Sequence, residues 1–209
     1  MIPIYEGMKG LIFDCDGTLA DTMTIHTQSW QETMKQFGHD CPVDFLQPLR
    51  GIPAEEIVIH FNRAFGTDLD IKEVSDAKNR MSYDRLKTVK PIVPVAKIAL
   101  DYRGKLPMSV VSGGTRKNVL RTLEAIGMAD FFEAVITADD ALRPKPDPQM
   151  FIEAAKRMAV PSVACEVFED GDPGLEAARA AGMKFVDVRS YVNLNRFDFK
   201  RSAGAAEKG

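Results

Sequence analysis

Short apolar runs and longer amphipathic stretches follow one another along most of the chain, and their two periods predict its elements. Met8–Asp14 (MKGLIFD) is a brief apolar run ending in an acidic, glycine-bearing turn, as a strand buried in a parallel sheet does. From Asp21 to Lys87 the signals are helical, with no convincing strand. Thr22–Phe37 stops at Gly38, Pro42–Leu49 is short, Pro53–Phe65 opens on proline and acids and closes at Gly66, and Asp70–Lys87 is charged throughout. After Pro91 the two periods alternate. Helices are predicted over Val93–Tyr102, Thr115–Ile126, Pro148–Met158 and Pro173–Ala181, and strands over Met108–Ser112, Ala134–Thr137, Glu166–Glu169 and Phe185–Val188. This alternation predicts an α/β fold, a doubly wound parallel sheet, with an all-helical insert after the first strand. The expected division is a discontinuous α/β core over 1–19 and 88–209 and a helical cap over 20–87, with the polar Asn195–Gly209 as a loosely held tail.

Composition narrows the partners. The chain has 209 residues, 45% of them apolar, enough for a core without staples. Lys and Arg number 27 against 30 Asp and Glu, a net charge of -3, which argues against a globally basic nucleic-acid binder. The three cysteines, Cys15, Cys41 and Cys165, are too few and too scattered for a disulfide scaffold, and a reducing cytoplasm suits them. No apolar run reaches the ~18 residues of a membrane span, and the start lacks the pattern of a signal peptide. The expectation is a cytoplasmic protein, monomeric, that binds neither membrane nor nucleic acid.

In open α/β sheets ligands bind beyond the carboxyl ends of the strands, and four predicted strand ends carry polar clusters. They are Asp14-Cys15-Asp16-Gly17-Thr18, Ser112-Gly113-Gly114, Arg143-Pro144-Lys145-Pro146 and Glu169-Asp170-Gly171-Asp172. Right-handed crossovers bring these turns to one edge of the sheet. Converging carboxylates repel unless a cation or protons intervene, and oxygen-only ligands with several carboxylates suit Mg²⁺. Glycine turns that open helices present N–H groups to an anion, and Lys145 adds a point charge. The inventory is that of a site for phosphate plus Mg²⁺. An aspartate is already ionised and needs no base to attack phosphorus. A second aspartate two residues on, crowded by negative charge, is expected to hold a proton for the leaving alcohol through a raised pKa.

DCDGTLAD at Asp14–Asp21 resembles the first motif of the haloacid dehalogenase-like phosphatase superfamily. The serine after the second strand, RPKPDP around Lys145, and EDGDPGLEAARAAG resemble its other three motifs, in order, to about Arg189. A chance D-x-D-G-T in such a chain is on the order of a few in a thousand, so four ordered motifs make the resemblance specific. It implies an HAD-like core with a mobile cap hinged near Leu19–Asp21 and Lys87–Pro91. It implies Asp14 as nucleophile and metal ligand, and Asp16 as general acid/base that also ligates Mg²⁺ through its backbone carbonyl. Ser112 and Gly113 would hold the phosphoryl oxygens, Lys145 would bridge nucleophile and phosphate, and Asp170 would ligate the metal with Glu169 in its first or second shell. Gly171 departs from the serine of many relatives, and Asp172 is expected to be a helix N-cap.

Within the insert, His26 and Trp30 share one helix face. The resemblance here narrows to the β-phosphoglucomutase and fructose-1-phosphate phosphatase-like branch. It implies a specificity loop at Arg50-Gly51 and a substrate-reaching lysine at Lys78. The mutase has a further arginine after that loop to grip a second phosphate; Ala54 stands there, which counts against a mutase, while Arg50 is a cation that could compensate and keeps the question open. The expected activity is a Mg²⁺-dependent phosphatase acting on a small phosphorylated metabolite, a sugar phosphate, with a β-phosphoglucomutase as the alternative. A dehalogenase has no use for Asp16, phosphonate cleavage wants a cap-loop lysine that Leu46–Glu56 lacks, and a signalling receiver would not carry a roughly 65-residue helical insert after its first strand. Neither GxGxxG nor GxxxxGK[ST] occurs.

Overall fold

The apolar runs assemble into one five-stranded parallel sheet. The computed structural model describes residues 2–191, so the expected loose tail, 195–209, lies outside the described residues. Strands β1 (Gly10–Phe13), β2 (Met108–Val111), β3 (Ala134–Ile136), β4 (Cys165–Glu169) and β5 (Lys184–Asp187) lie in the order β3-β2-β1-β4-β5, each neighbouring pair parallel. Central β1 sets Leu11 opposite Met108 on one side and Glu166 on the other. A strand covered on both faces has no solvent side, which is why β1 reads as unbroken apolar sequence. Its side chains still alternate. Leu11 and Phe13 pack under α5 (Val93–Tyr102) and α6 (Arg116–Ala125), and Ile12 packs under α7 (Gln149–Arg157) and α8 (Asp172–Ala180).

The chain winds outward from β1 through β2 to β3, then crosses back to β4 and β5. This reversal beside β1 opens a crevice at the carboxyl ends of β1, β2 and β4. Helices α1 (Met23–Gln36), α2 (Val43–Leu46), α3 (Ala54–Phe65) and α4 (Ile71–Leu86) occupy the interval between β1 and α5. They share an apolar core of their own, including Trp30, Met34, Val58, Phe61 and Val74. The two stretches that join this layer to the sheet run side by side. Asp21 N–H donates to the Lys90 carbonyl at 2.9 Å and Ile92 N–H to that of Leu19 at 2.8 Å. Each expected element is present with its ends shifted by at most two residues, except that Pro42–Leu49 divides into α2 and a 3₁₀ turn over Gln47–Leu49. Pro48 lies in that turn, and its missing N–H favours the break. Among the described residues no helix is long and apolar enough to cross a membrane.

Candidate active site

The turns after β1 and β4 deliver acids to the crevice, and burial decides what those acids do. Asp14 follows β1 directly, Glu169 ends β4 and Asp170 comes next, and all three are at most 2% exposed. The turn after β1 is tight, with the N–H groups of Leu19 and Ala20 both at 3.0 Å from the Cys15 carbonyl. Gly17 sits at φ +91°, a conformation that L side chains rarely adopt, and a Cβ there would meet Asp170 Oδ2 at 2.5 Å. Thr18 Oγ1 donates to Asp170 Oδ1 at 2.8 Å. Cys15, between the two aspartates, packs into the apolar face of the core, as its place in the strand-end alternation predicts.

Lys145 enters from the loop before α7 and is buried. Its Nζ donates to Asp14 Oδ1 at 2.7 Å, to Glu169 Oε2 at 2.7 Å and to the Val111 carbonyl at 3.2 Å. Glu169 Oε1 accepts the N–H groups of Asp170 at 3.1 Å and Gly171 at 2.9 Å, so its carboxylate is committed to the lysine and the turn. One ammonium therefore faces three carboxylates away from water. Burial and then Glu169 push the Asp14 carboxyl well above its ordinary value, and the same two causes bring Asp170 up to about 7. Burial opposes the charge on Lys145, but Asp14 and Glu169 outweigh it and hold the ammonium above the usual lysine range. Asp14 Oδ2 and Asp170 Oδ2 are buried with no hydrogen-bond partner. Asp14, Glu169 and Asp170 each offer an oxygen within 4.8 Å of the others. Two orphaned carboxylate oxygens in an excess of buried negative charge fit a hard divalent cation such as Mg²⁺.

Asp16 is set apart from this group. Its Oδ1 accepts from Thr22 Oγ1 at 2.8 Å and lies 3.0 Å from His26 Nε2, and its Oδ2 accepts from Ser112 Oγ at 3.2 Å. Lys78 Nζ lies 3.1 Å from His26 Nδ1. An ammonium can only donate, so Nδ1 accepts and the ring proton is assigned to Nε2, facing Asp16. Burial lowers Lys78 to about 8, and burial followed by the Lys78 charge holds His26 below its ordinary value. Burial raises Asp16, but the neighbouring His26, its hydrogen bond, the Thr22 hydroxyl and Lys78 together outweigh burial and hold the carboxyl below the usual carboxylate range. The expectation of a raised Asp16 pKa is thereby corrected for the free protein. The carboxylate faces the Thr22 and Ser112 hydroxyls and the His26 N–H, with the Lys78 ammonium behind the ring, rather than the acids that were expected to crowd it.

The remaining expected residues fall into three places. Ser112 Oγ and Gly113 stand at the carboxyl end of β2, with Ser112 Oγ also accepting the Gly114 N–H at 3.0 Å. The Arg50-Gly51 turn lies directly over the site. A Cβ on Gly113 would sit 2.5 Å from the Gly51 carbonyl oxygen, and one on Gly171 would sit 3.0 Å from that of Arg50. The absence of a side chain at Gly171, the departure noted in the sequence, gives this loop room. Trp30 is 3% exposed and belongs to the helical layer's core, with Lys78 Nζ 5.5 Å from its ring centroid. These groups border a cavity of 540 Å³ whose walls include Asp14, Asp16, Ser112, Trp30 and Glu55. Asp172 is not the N-cap that was expected. Gly171 takes that position, while Asp172 is the first helical residue and pairs with Arg189 at 2.8 Å. Sequence reasoning missed Thr18, Thr22 and Gly174. Thr22 stands at the N-cap position of α1, but its hydroxyl makes no cap hydrogen bond and serves Asp16 instead. A Cβ on Gly174 would overlap the Glu169 carboxylate, a contact that no local pattern announces.

The chain is similar to known proteins. The family profile of haloacid dehalogenase-like hydrolases matches residues 11–188. The fructose-1-phosphate phosphatase YqaB of Escherichia coli is 37% identical over 193 residues, covering 89% of this chain and 99% of the relative. The β-phosphoglucomutase of Bacillus subtilis is 26% identical over 87% of this chain and 83% of its own length. A crystal structure of β-phosphoglucomutase from Clostridium difficile superposes with a TM-score of 0.77 at 21% identity, covering 94% of this chain and 96% of that one, which bears on the fold. With its motifs gathered at one sheet edge and the family profile spanning nearly the whole described chain, this protein belongs to the haloacid dehalogenase-like hydrolase family.

Proposed function

We propose that the chain is a Mg²⁺-dependent phosphatase of small sugar monophosphates that works through an aspartyl phosphate on Asp14. The observation that carries this reading is the buried Asp14–Lys145 pair at 2.7 Å, with Asp14 Oδ2 left unpartnered, in the wall of the 540 Å³ cavity. Asp14 attacks phosphorus, the ester P–O bond breaks, and its electron pair leaves on the sugar oxygen, which takes a proton from Asp16. Asp16 acquires that proton when the phosphate's negative charge arrives, because a like charge nearby raises a carboxyl. The resulting Asp16 carboxylate then accepts a proton from the water that attacks the aspartyl phosphate, and the bond from phosphorus to Asp14 breaks. His26 and Lys78 favour the carboxylate form and so support this second step. Once its hydroxyl turns from Asp16, Ser112 would donate to a phosphoryl oxygen beside the Gly113 N–H, and Lys145 would stay charged throughout. Mg²⁺, held by Asp14, Asp170 and the Asp16 backbone carbonyl with Glu169 beside them, would screen the phosphate from the carboxylates.

Residues 20–87 serve as the cap that excludes water and selects the sugar, in keeping with the Arg50-Gly51 turn resting over Gly113 and Gly171. The substrate class draws support from the E. coli relative, whose name specifies fructose 1-phosphate. The mutase alternative requires a grip on a second phosphate. Ala54 offers no cation and Lys72 in the same cavity is paired with Asp76 at 2.8 Å, which leaves Arg50 on the cavity wall as the cation such a grip would use. The test is phosphate release from fructose 1-phosphate with and without Mg²⁺, beside β-glucose 1-phosphate with a bisphosphate primer. Isomerised sugar phosphate without free phosphate would overturn the proposal. Asp14→Asn is expected to abolish turnover while keeping the circular dichroism of the parent, and parental hydrolysis of p-nitrophenyl phosphate by that variant would refute the assigned nucleophile.

A further inference from the structure

The helical layer and the sheet layer meet through a polar contact that none of the four motifs contains. Asn118 lies in the first turn of α6 and is 5% exposed. Its side-chain amide donates to Ser82 Oγ at 3.1 Å and to the Asn79 carbonyl at 3.3 Å, both on α4. Ser82 is fully buried, and its hydroxyl lies 3.2 Å from the Lys78 carbonyl and 3.1 Å from that of Asn79. Beside it, the Tyr83 ring of α4 has Lys117 Nζ 4.4 Å and the Arg121 guanidinium carbon 5.5 Å from its centroid.

This contact closes a circuit around Asp16. One Asp16 oxygen is reached through Ser112, whose Oγ also holds the Gly114 N–H, and the adjoining Thr115 side chain caps the Asn118 N–H at 3.4 Å. The other oxygen is reached through His26 and Lys78, and Lys78 stands one helical turn from Ser82. The Asn118–Ser82 bond joins the two arms. Hydrogen bonds fix direction as well as distance, whereas apolar faces slide, so this bond sets where α4 stands against α6.

We propose that Asn118 is a positioning residue whose amide latches α4 to α6 and thereby fixes the distance at which Lys78 and His26 hold the Asp16 carboxylate. The proposal rests on the reading of Asp16 as the acid/base of a phosphatase. A positioning role differs from a packing role in one measurable respect. If Asn118 acts through Lys78, removing Lys78 first leaves Asn118 nothing to position, and the two losses do not multiply.

The experiment is a double-mutant cycle of Asn118→Ala and Lys78→Met, with kcat and KM measured in Mg²⁺ on fructose 1-phosphate and on p-nitrophenyl phosphate. Asn118→Ala is expected to lower kcat about tenfold with KM changed less than about twofold. The double variant is expected to match Lys78→Met alone within about twofold. Losses that multiply, or an unchanged kcat in Asn118→Ala, overturn the proposal. Ser82→Ala removes the same bond from the other side and is expected to show the same split, which guards against a folding defect peculiar to Asn118→Ala. Amide hydrogen exchange provides a readout that does not depend on activity. Asn118→Ala should speed exchange across α4 about tenfold while β1 and β4 keep parental rates. If the parent hydrolyses neither substrate, the phosphatase reading has failed, and parental exchange across α4 in that variant would separately overturn the latch.

Discussion

Gly174→Ala sets two effects of opposite sign against each other, and the structure says which prevails. Gly174 lies in the first turn of α8, and a helical alanine is favoured over glycine by ~1 kcal/mol. On propensity alone the change stabilises. A Cβ at Gly174, however, would overlap Oε2, Cδ and Cγ of Glu169. That carboxylate cannot step aside freely, because Lys145 holds one oxygen at 2.7 Å and the N–H groups of Asp170 and Gly171 hold the other at 3.1 and 2.9 Å. Hydrogen bonds to charged groups contribute ~1.5–3 kcal/mol each, and parting a buried ion pair costs ~3–5 kcal/mol. Displacement therefore outweighs the helix gain, and we expect a net destabilisation of about 2–4 kcal/mol. For a chain of this size that lowers Tm by roughly 5–15 °C. The assay is thermal unfolding by circular dichroism in EDTA, where no metal contributes. Activity in Mg²⁺ should also fall, because Lys145 loses one of its two carboxylate partners. A variant as stable as the parent, or more so, would refute the steric reasoning.

Three further outcomes are expected. Glu166 is fully buried in β4, accepts the Tyr5 N–H at 3.0 Å through Oε2, leaves Oε1 unpartnered, and is pushed by burial up to about 7. A carboxyl raised on folding supports the fold below its unfolded pKa and withdraws that support as pH rises from about 4.5 to 7. In saturating Mg²⁺ the stability of the parent relative to Glu166→Gln should therefore fall by about 3 kcal/mol between pH 4.5 and 8, and parallel urea-denaturation curves across that range would contradict the assignment. Metal binding needs Asp14 and Asp170 ionised, and both are raised in the free protein, so Mg²⁺ should raise Tm more at pH 8 than at pH 5.5. Asp170→Asn should lose most of that shift, and a shift equal at both pH values would exclude these two carboxylates as the ligands. Lys145→Met leaves Asp14 and Glu169 buried without their counter-charge and should destabilise the Mg²⁺-free protein by ~3–5 kcal/mol in denaturant titration, with little change taken as evidence against the buried pair.

The fold was largely legible in the sequence, because strand and helix periods are local. β1 reads as an apolar run since it is covered on both faces, and α3 announces itself through Glu55 and Glu56 in its first turn and the left-handed Gly66 that closes it. The acidic turns were legible too. A parallel sheet with right-handed crossovers has one edge to which all its strand ends point, so Asp14, Ser112, Lys145 and Asp170 converge once the strand order is known.

The state of those groups was not legible, because charge and hydrogen bonding follow distances between residues far apart in the chain. Asp16 follows Asp14 by two residues, and local crowding argued for a raised pKa. Thr22, His26 and Lys78, brought in by α1 and α4, reverse the sign. The motif leaves Glu169 in either the first or the second shell of a metal, and in the structure Lys145 and two backbone N–H groups claim both its oxygens. Asp172 resembled a cap because it stands beside a helix start, and Arg189 draws it into an ion pair instead. Asn118 carries no motif at all, and only the packing of α6 on α4 gives its amide two acceptors. The sequence alone thus determined the elements, their order and the chemical inventory at the sheet edge, which depend on short-range periodicity and on chain handedness. Tertiary structure alone decided which way each acid's pKa is shifted, which oxygen is left for a cation and which side chain joins the two layers, since each depends on burial and on contacts a few ångströms long between distant parts of the chain.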